Sequence, residues 1–487
     1  MTTTRMTIEE SVARFVAEAT LDDVSETVLD TARKAVADTV AAMTAGARSE
    51  LAPAVARYVA AEGPGGRHLV LGTTDRLTAD KAALANATLG HALDYDDVVS
   101  AMPGHPSAIL VPVLLAQAEV APLSGADFLT AYLVGFEVAT KMGMAMGSGH
   151  YRRGWHSTGT LGIFGACAAA ARAYGLQPLA IVHALGIATS MAASLRVNFG
   201  TMTKPLHSGW AASAGLTAAR LAAAGFTSSQ TALSANDGFF SVYGGDPEHA
   251  RVVLAGLGAP FTMEAPGMSL KKYPCCYALH RAIDALQGLH ADGLLGDVRT
   301  ITAAVPPGSL LPVPYQRPDT GFEARFSMNY ILAVGMVDPD FGFPAFTDEA
   351  VRRPSVLEAL ERTRAIEDPA CSPGDPEGRL ASAGTRGFVE VRVEHEDGRQ
   401  TVRRVDVPPG SPGRPLTWDE VTAKFADCAA FGGLDAGSGK RALELIRRVD
   451  TLDDVGELWS CLAGERFAGR ADDGEWSAAH VASGDEV

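Results

Sequence analysis

Four short segments of this 487-residue chain carry side chains whose types and spacing could do chemistry. The first is His91-Ala-Leu-Asp94-Tyr-Asp96-Asp97, followed closely by Gly104-His105-Pro106-Ser107. Three carboxylates within four residues are costly to place together unless they meet cations, a metal ion or solvent. A solvated helix end, with His91 as an ordinary core residue, accounts for the run as well. Diphosphate chemistry through magnesium held by Asp94, Asp96 and Asp97 is the metal alternative, but the acid expected three residues after the pair is missing and no second acid-rich helix faces it. The second segment is Tyr151-Arg-Arg-Gly-Trp-His156-Ser-Thr-Gly-Thr160, at the entrance of an Ala-rich helix. An imidazole, hydroxyls and unpaired backbone N–H groups there favour an anion, and an N-cap beside a surface His reads the same way. No GxxxxGK(S/T) or GxGxxG pattern occurs, so nucleotide phosphate is not indicated.

The third segment, Thr201-Met-Thr-Lys204-Pro-Leu-His207-Ser-Gly-Trp210, holds the one formal charge between residues 200 and 217. Such a lysine either snorkels to water or meets an anionic ligand. The fourth is Ser269-Leu-Lys-Lys272-Tyr-Pro-Cys275-Cys276-Tyr-Ala-Leu-His280-Arg281. A thiol nucleophile there lacks a His-paired signature, so a buried structural role is expected for the cysteines, and His280 reads by itself as a core residue.

These segments need elements to position them. From residue 7 to about 260 the chain is rich in Ala and reads as successive amphipathic helices. Thr7-Ile-Glu-Glu10 has capping-box spacing, a second helix follows Asp22-Asp23, and Ser124 caps a third running toward Met142. Further helical windows cover 79–93, 106–120, 159–175, 178–195, 208–224 and 228–236. Near Ser269 the texture changes. Residues 298–306 and 387–407 alternate β-branched and polar side chains, and Glu396-Asp-Gly-Arg399 supplies a hairpin turn. Helical windows at 275–290, 325–336 and 346–363 sit among these strands. After the Pro- and Gly-rich 408–415, Thr417-Trp-Asp-Glu420 opens return helices at 418–431 and 437–462, and 472–487 reads as a frayed acidic tail. The expected fold is mainly α with a smaller α+β domain: a helical domain over 1–268, an inserted α+β lid over 269–408, and C-terminal helices over 409–487 that rejoin the helical domain.

Composition narrows the partners. With 41 Lys and Arg against 57 Asp and Glu, the net charge is −16, which disfavours nucleic acid. At 47% hydrophobic and 20% charged, the chain is an ordinary globular protein with ample core. The uncharged stretches 98–118 and 173–195 are broken by Pro, Gly and His, so no membrane span is expected. The first residues carry no apolar secretory core, and six scattered cysteines form no disulfide or zinc framework, so a reduced, cytoplasmic setting is expected.

Taken together, the segments resemble the family of methylcitrate dehydratases and cis-aconitate decarboxylases, the MmgE/PrpD family, which also includes an iminodisuccinate epimerase. The resemblance spans nearly the whole chain. It rests on the motifs at 91–97, 104–107 and 155–162, on Lys-Pro-Leu-His-Ser-Gly at 204–209, on Lys-Tyr-Pro-Cys-Cys at 272–276 with His280, and on Arg-Phe-Ser-Met-Asn-Tyr at 325–330. It implies a cofactor-independent lyase, or an epimerase, acting on a small di- or tricarboxylate, with no metal and no organic cofactor, in a homodimer whose active site lies between helical domain and lid. Residue by residue it implies Asp94, His105, His156, Lys204, His280 and Tyr330 as catalytic positions, and His156, Lys204, His207 and Lys272 as substrate-binding ones. Val98 departs from the cis-aconitate decarboxylase pattern, which has Thr there. The chemistry expected is proton transfer next to a carboxylate, with Lys204 and four histidines gathered into a local cationic site that holds the substrate and stabilises the charge that develops. A metal-dependent helical enzyme and a non-catalytic interaction protein are the rival classes.

Overall fold

Helices of the N-terminal half begin where their caps place them. Thr7 caps Ile8–Glu18 with both bonds of a capping box, Ser25 caps Glu26–Gly46, and Ser124 caps Gly125–Met146. The computed structural model describes residues 6–62, 65–375 and 386–463. In it these helices pack with Ala79–Gly90, Ser107–Ala118, Gly162–Ala173, Pro178–Thr189 and Thr203–Ala223. Trp418–Gly432 and Ala436–Arg447 return to the same body, because one apolar core draws on residues from Ile8 to Leu270 and again from Leu416 to Leu462. The acidic tail expected at 472–487 lies outside the described residues.

Small residues set how closely these helices approach. A Cβ on Gly209 would stand 2.1 Å from Thr88 Oγ1 and 2.5 Å from the Leu84 carbonyl oxygen, and one on Gly215 would stand 2.7 Å from that of Ile163. Thr203–Ala223 therefore lies in backbone contact with both Ala79–Gly90 and Gly162–Ala173. That contact brings Lys204, in its first turn, over the chain that leaves Ala79–Gly90 through His91 and Asp94.

The lid is a four-stranded sheet in the order Thr363–Glu367, Val298–Val305, Val389–His395, Gln400–Val405, with only the first pair parallel. The Asp397-Gly398 turn closes the hairpin as its sequence predicts, with Gly398 at φ +81. Val389, Val391 and Val393 alternate inward, against helices His280–Ala291 and Met328–Val337, in a second core that runs from Tyr273 to Val393. The strands that enter and leave this unit are adjacent. Ser269 exchanges two 2.9 Å backbone bonds with Val98, and the Leu270 N–H donates to the Gly410 carbonyl at 2.9 Å.

Some elements differ from the sequence pattern. Residues 228–236 form turns, because the N–H groups of Leu233 and Ser234 donate to the buried carboxylate of Glu9, at 2.8 and 2.9 Å, in place of helical carbonyls. The window 346–363 is two short helices, Asp348–Val351 and Pro354–Leu360, split where Pro354 has no N–H to continue the ladder. Its end turns into the strand Thr363–Glu367, which the pattern did not signal. The helix Ala52–Glu62 and the small His68–Leu69/Arg76–Leu77 ribbon are also additional. The two uncharged stretches contain helices of 12 residues each, and among the described residues no helix is long and apolar enough to cross a membrane.

Gly209→Ala forces a methyl group onto a backbone oxygen, so it should lower unfolding free energy by about 1–3 kcal/mol in chemical denaturation. An unchanged midpoint would mean that the helices can separate at no cost.

Candidate active site

Beyond Ala79–Gly90 the chain turns sharply, and Asp94 takes φ +50, a left-handed conformation that costs an ordinary L-residue about 1–2 kcal/mol. Aspartate is among the residues that tolerate it, and both ends of this one are held. Its Oδ1 accepts from Lys204 Nζ at 2.7 Å and lies 3.1 Å from Lys271 Nζ, while its backbone carbonyl accepts from Lys271 at 2.7 Å. A third lysine supports this pair from the return helix. Lys424 Nζ donates to the carbonyls of Tyr95 (2.7 Å) and Lys271 (2.8 Å) and pairs with Asp38 at 2.5 Å. All three ammonium groups are buried, which lysine avoids unless paired.

Hydrogen-bond partners settle two imidazole tautomers. Nδ1 of His91 faces the Asp96 carboxylate at 2.8 Å, an acceptor, so it carries the proton; its bare Nε2 then accepts from Lys204 Nζ at 2.7 Å. Nδ1 of His105 lies 2.7 Å from the Asp97 carbonyl and 3.3 Å from Asp96 Oδ2, both acceptors, so it too carries the proton. The Nε2 of His105 is left with a free lone pair. His156 Nδ1 meets His207 Nδ1 at 2.9 Å, and its Nε2 meets the Thr158 hydroxyl at 2.8 Å.

Burial rules the protonation of this site. It pushes His91 down to about 3 against the pull of Asp96, and His207 down to about 4 with Lys204 adding to it. His105 is lowered by burial, and by Lys271 and Lys204 against Asp96; His156 falls well below the ordinary value through burial, His207 and Lys204. The expected cationic histidine cluster is therefore corrected: these rings are neutral, and the positive charge resides on ammonium groups. Burial would raise Asp94, but Lys204 and Lys271 overcome it and hold the carboxyl well below the usual range. Burial lowers Lys204 despite Asp94, whereas for Lys271 Asp94 and Asp96 outweigh burial and raise it.

Asp94, His105, His156 and Lys204 line one cavity between body and lid, with Arg152 and Phe199 on the body side and Leu311 and Phe326 on the lid side. Two bonds fasten the lid there: Arg196 Nη1 donates to the Leu311 carbonyl at 3.3 Å, and the Tyr315 hydroxyl to the Phe199 carbonyl at 2.8 Å. Val98 lies on the same wall. His207 stands behind His156, off the wall. Lys272 points into a separate cleft and sits over the Tyr273 ring. His280 is packed between the rings of Tyr273 and Tyr277 inside the lid, and the Tyr330 hydroxyl donates to the Ala345 carbonyl in the lid core. Neither reaches the cavity wall.

Sequence reasoning missed Lys271, Lys424 and the structural work of His91 and Asp96. A signal existed for the first two. Adjacent residues of an extended segment point to opposite faces, so one of Lys271 and Lys272 had to turn inward. Lys424 shares the helical stripe of Val421, Phe425 and Cys428, all buried.

His91, Asp94, Asp96 and His105 each offer a ligand atom within 4.8 Å of the others, a geometry a metal ion could use. Their donors are committed otherwise. Lys204 already holds Asp94 Oδ1 and His91 Nε2, and His91 Nδ1 is spent on Asp96. Asp97 accepts from the Ser107 hydroxyl, which also meets the Tyr132 hydroxyl, and burial, with the charges of Asp96 and Asp38, pushes its carboxyl well above the usual range. The residues fit an ammonium at the centre better than a divalent cation.

The chain matches the MmgE/PrpD N-terminal domain over residues 10–251 and the MmgE/PrpD C-terminal domain over 273–451. A cis-aconitate decarboxylase of Aspergillus terreus is 28% identical over 483 residues, covering 93% of this chain and 96% of that protein. Proteins of the same name from Homo sapiens and Mus musculus are 28% and 27% identical, each over 80% of this chain and 80% and 79% of their own length.

Depressed histidines make stability depend on pH with a definite sign. Each folded-state pKa lies below the unfolded value of about 6.5, so the stabilisation is complete above that value and is lost as pH falls toward the folded one. His91 and His280, both held near about 3, should each cost about 2 kcal/mol at pH 5. His150 and His207, near about 4, act in the same direction. Asp38, pushed by burial up to about 6, and Asp97 oppose them but are fewer. The thermal midpoint should fall steadily from pH 7 to pH 5, and a flat profile would show that the rings are solvated.

Proposed function

The chain belongs to the MmgE/PrpD family, and from that premise we propose that it is a cofactor-independent lyase that decarboxylates a small polycarboxylate of the cis-aconitate kind. The single observation that carries the reading is the free Nε2 lone pair of His105 on the same cavity wall as a buried, charged Lys204. The shared name of the relatives supports decarboxylation as the outcome.

Each group has a task that its bonds allow. Lys204 gives two of its three ammonium hydrogens to Asp94 and His91 and keeps the third for a substrate carboxylate. When the C–C bond to the departing carboxylate breaks, CO2 leaves and the electron pair shifts into conjugation with a remaining carboxylate. That oxygen charge develops against the Lys204 ammonium, with Lys271 behind it, in a site shielded from water. The carbon is quenched by a proton from His105. Burial depresses this imidazole most, and Lys271 and Lys204 add to it; an entering carboxylate offsets the lysines, so the ring takes up a proton from water as the substrate binds, hands it to carbon and returns to neutral. Asp97 and Asp96 fix its tautomer, and His156, backed by His207, offers a further polar contact.

A second reading, proton abstraction without loss of CO2, has its own support. His105 is neutral in the free protein and so is already a base, and Val98 puts no hydroxyl on the wall where the decarboxylase pattern has Thr. Dehydration of a 2-methylcitrate-like acid or epimerisation of an iminodisuccinate-like acid would then follow. We also propose that the chain works as a homodimer; an exposed apolar row of Met202, Leu206 and Trp210 at four-residue spacing supports this.

Incubation with cis-aconitate, 2-methylcitrate or iminodisuccinate in D2O, followed by NMR, should place deuterium on a carbon next to a carboxylate. Turnover should survive EDTA and fall about 10²–10⁴-fold in His105→Ala and Lys204→Ala. Inhibition by EDTA, or no turnover with any polycarboxylate, would sink the reading. The pH limb separates the two outcomes: as pH falls toward the depressed pKa of His105, kcat/KM rises if the ring must be protonated to act, and stays level and then falls below that pKa if the ring must act as a base.

A further inference from the structure

Charge on the cavity wall does not balance within the protein. With the histidines neutral, the wall carries Asp94, Lys204 and Arg152 as its formal charges. Lys204 is committed to Asp94 and His91, and Lys271, behind the wall, to Asp94 twice over. Arg152 is different. It is the last residue of the short helix Ser148–Arg152, it faces the cavity, and among the described residues it makes no ion pair. Its neighbour Arg153 lies instead against Gly244, away from the cavity. The lid residues across the space, Gly308, Leu311 and Pro312, offer no charge that could pair with Arg152.

We propose that Arg152 is a specificity-determining residue that binds a second carboxylate of the substrate, one that takes no part in the bond changes, and so selects polycarboxylates over monocarboxylates. The inference rests on the polycarboxylate reading above and extends it to a residue outside the six motifs' catalytic positions. Its physical basis is the number of free donors. One remaining hydrogen on Lys204 serves a single carboxylate, at the reacting end. A second anionic group needs a second cation, and a guanidinium presents a two-pronged donor matched to a carboxylate's two oxygens. Because Arg152 is exposed at the rim and Lys204 is buried in the depth, the substrate is held at two points. The apolar lid residues cover the hydrocarbon between them.

Binding of glutarate and butyrate, which differ by one carboxylate, tests this by calorimetry without requiring turnover. Arg152→Ala should weaken glutarate at least tenfold and butyrate less than twofold. Arg152→Lys, which keeps the charge but loses the fork, should fall between, and Arg153→Ala should match the unaltered protein. In turnover of a tricarboxylate, Arg152→Ala should raise KM at least tenfold with kcat within about threefold. Equal weakening of both ligands, or no change in either, overturns the assignment to Arg152. Failure of the unaltered protein to bind or turn over any polycarboxylate overturns the functional reading itself, so the two failures are distinguishable.

Discussion

A carboxylate buried to 3% exposure must be neutralised by groups that are themselves buried, and Asp94 imposes that condition on the whole architecture. A lone ion would cost several kcal/mol to desolvate, and removing one partner of a buried pair costs about 3–5 kcal/mol. The partners come from distant parts of the chain: Lys204 from the helix that packs on Ala79–Gly90, and Lys271 from the junction between body and lid. Lys424, on the return helix, fixes the backbone of that junction. Helix approach through Gly209, attachment of the lid through Ser269 and Leu270, and return of the C-terminal segment therefore all meet in one charge network.

The network also separates charge from proton affinity. Ammonium groups carry the positive charge at neutral pH, while the same burial and the same ammonium groups keep the imidazoles neutral. Under the proposed function, an anionic substrate would change that balance by adding negative charge beside His105. Binding and proton uptake would then be coupled by electrostatics. The surface can stay strongly acidic, because the −16 of the whole chain is a sum over side chains that mostly face water, whereas a few low-dielectric contacts determine the site.

Much of this was legible in residue order. Caps at Thr7, Ser124 and Thr417, the Asp-Gly hairpin and the change of texture near Ser269 depend on neighbours within a few residues, and each stands where local chemistry puts it. The turns at 228–236 were not legible, because their N–H groups are satisfied by Glu9, over two hundred residues away. The strand Thr363–Glu367 was hidden for a similar reason: its partner, Val298–Val305, is remote, and five residues carry too little pattern to announce a parallel edge.

The sequence by itself determined which residue types were available to the site and which short motifs carried them, since Asp94, His105, His156 and Lys204 all come from segments whose composition marked them. Only the tertiary structure decided which of two adjacent lysines turns inward, that His280 and Tyr330 pack inside the lid, and that the histidines are neutral. The reason is that proton affinity and side-chain direction depend on burial and on charges brought from distant parts of the chain, and neither is a property of neighbours in sequence.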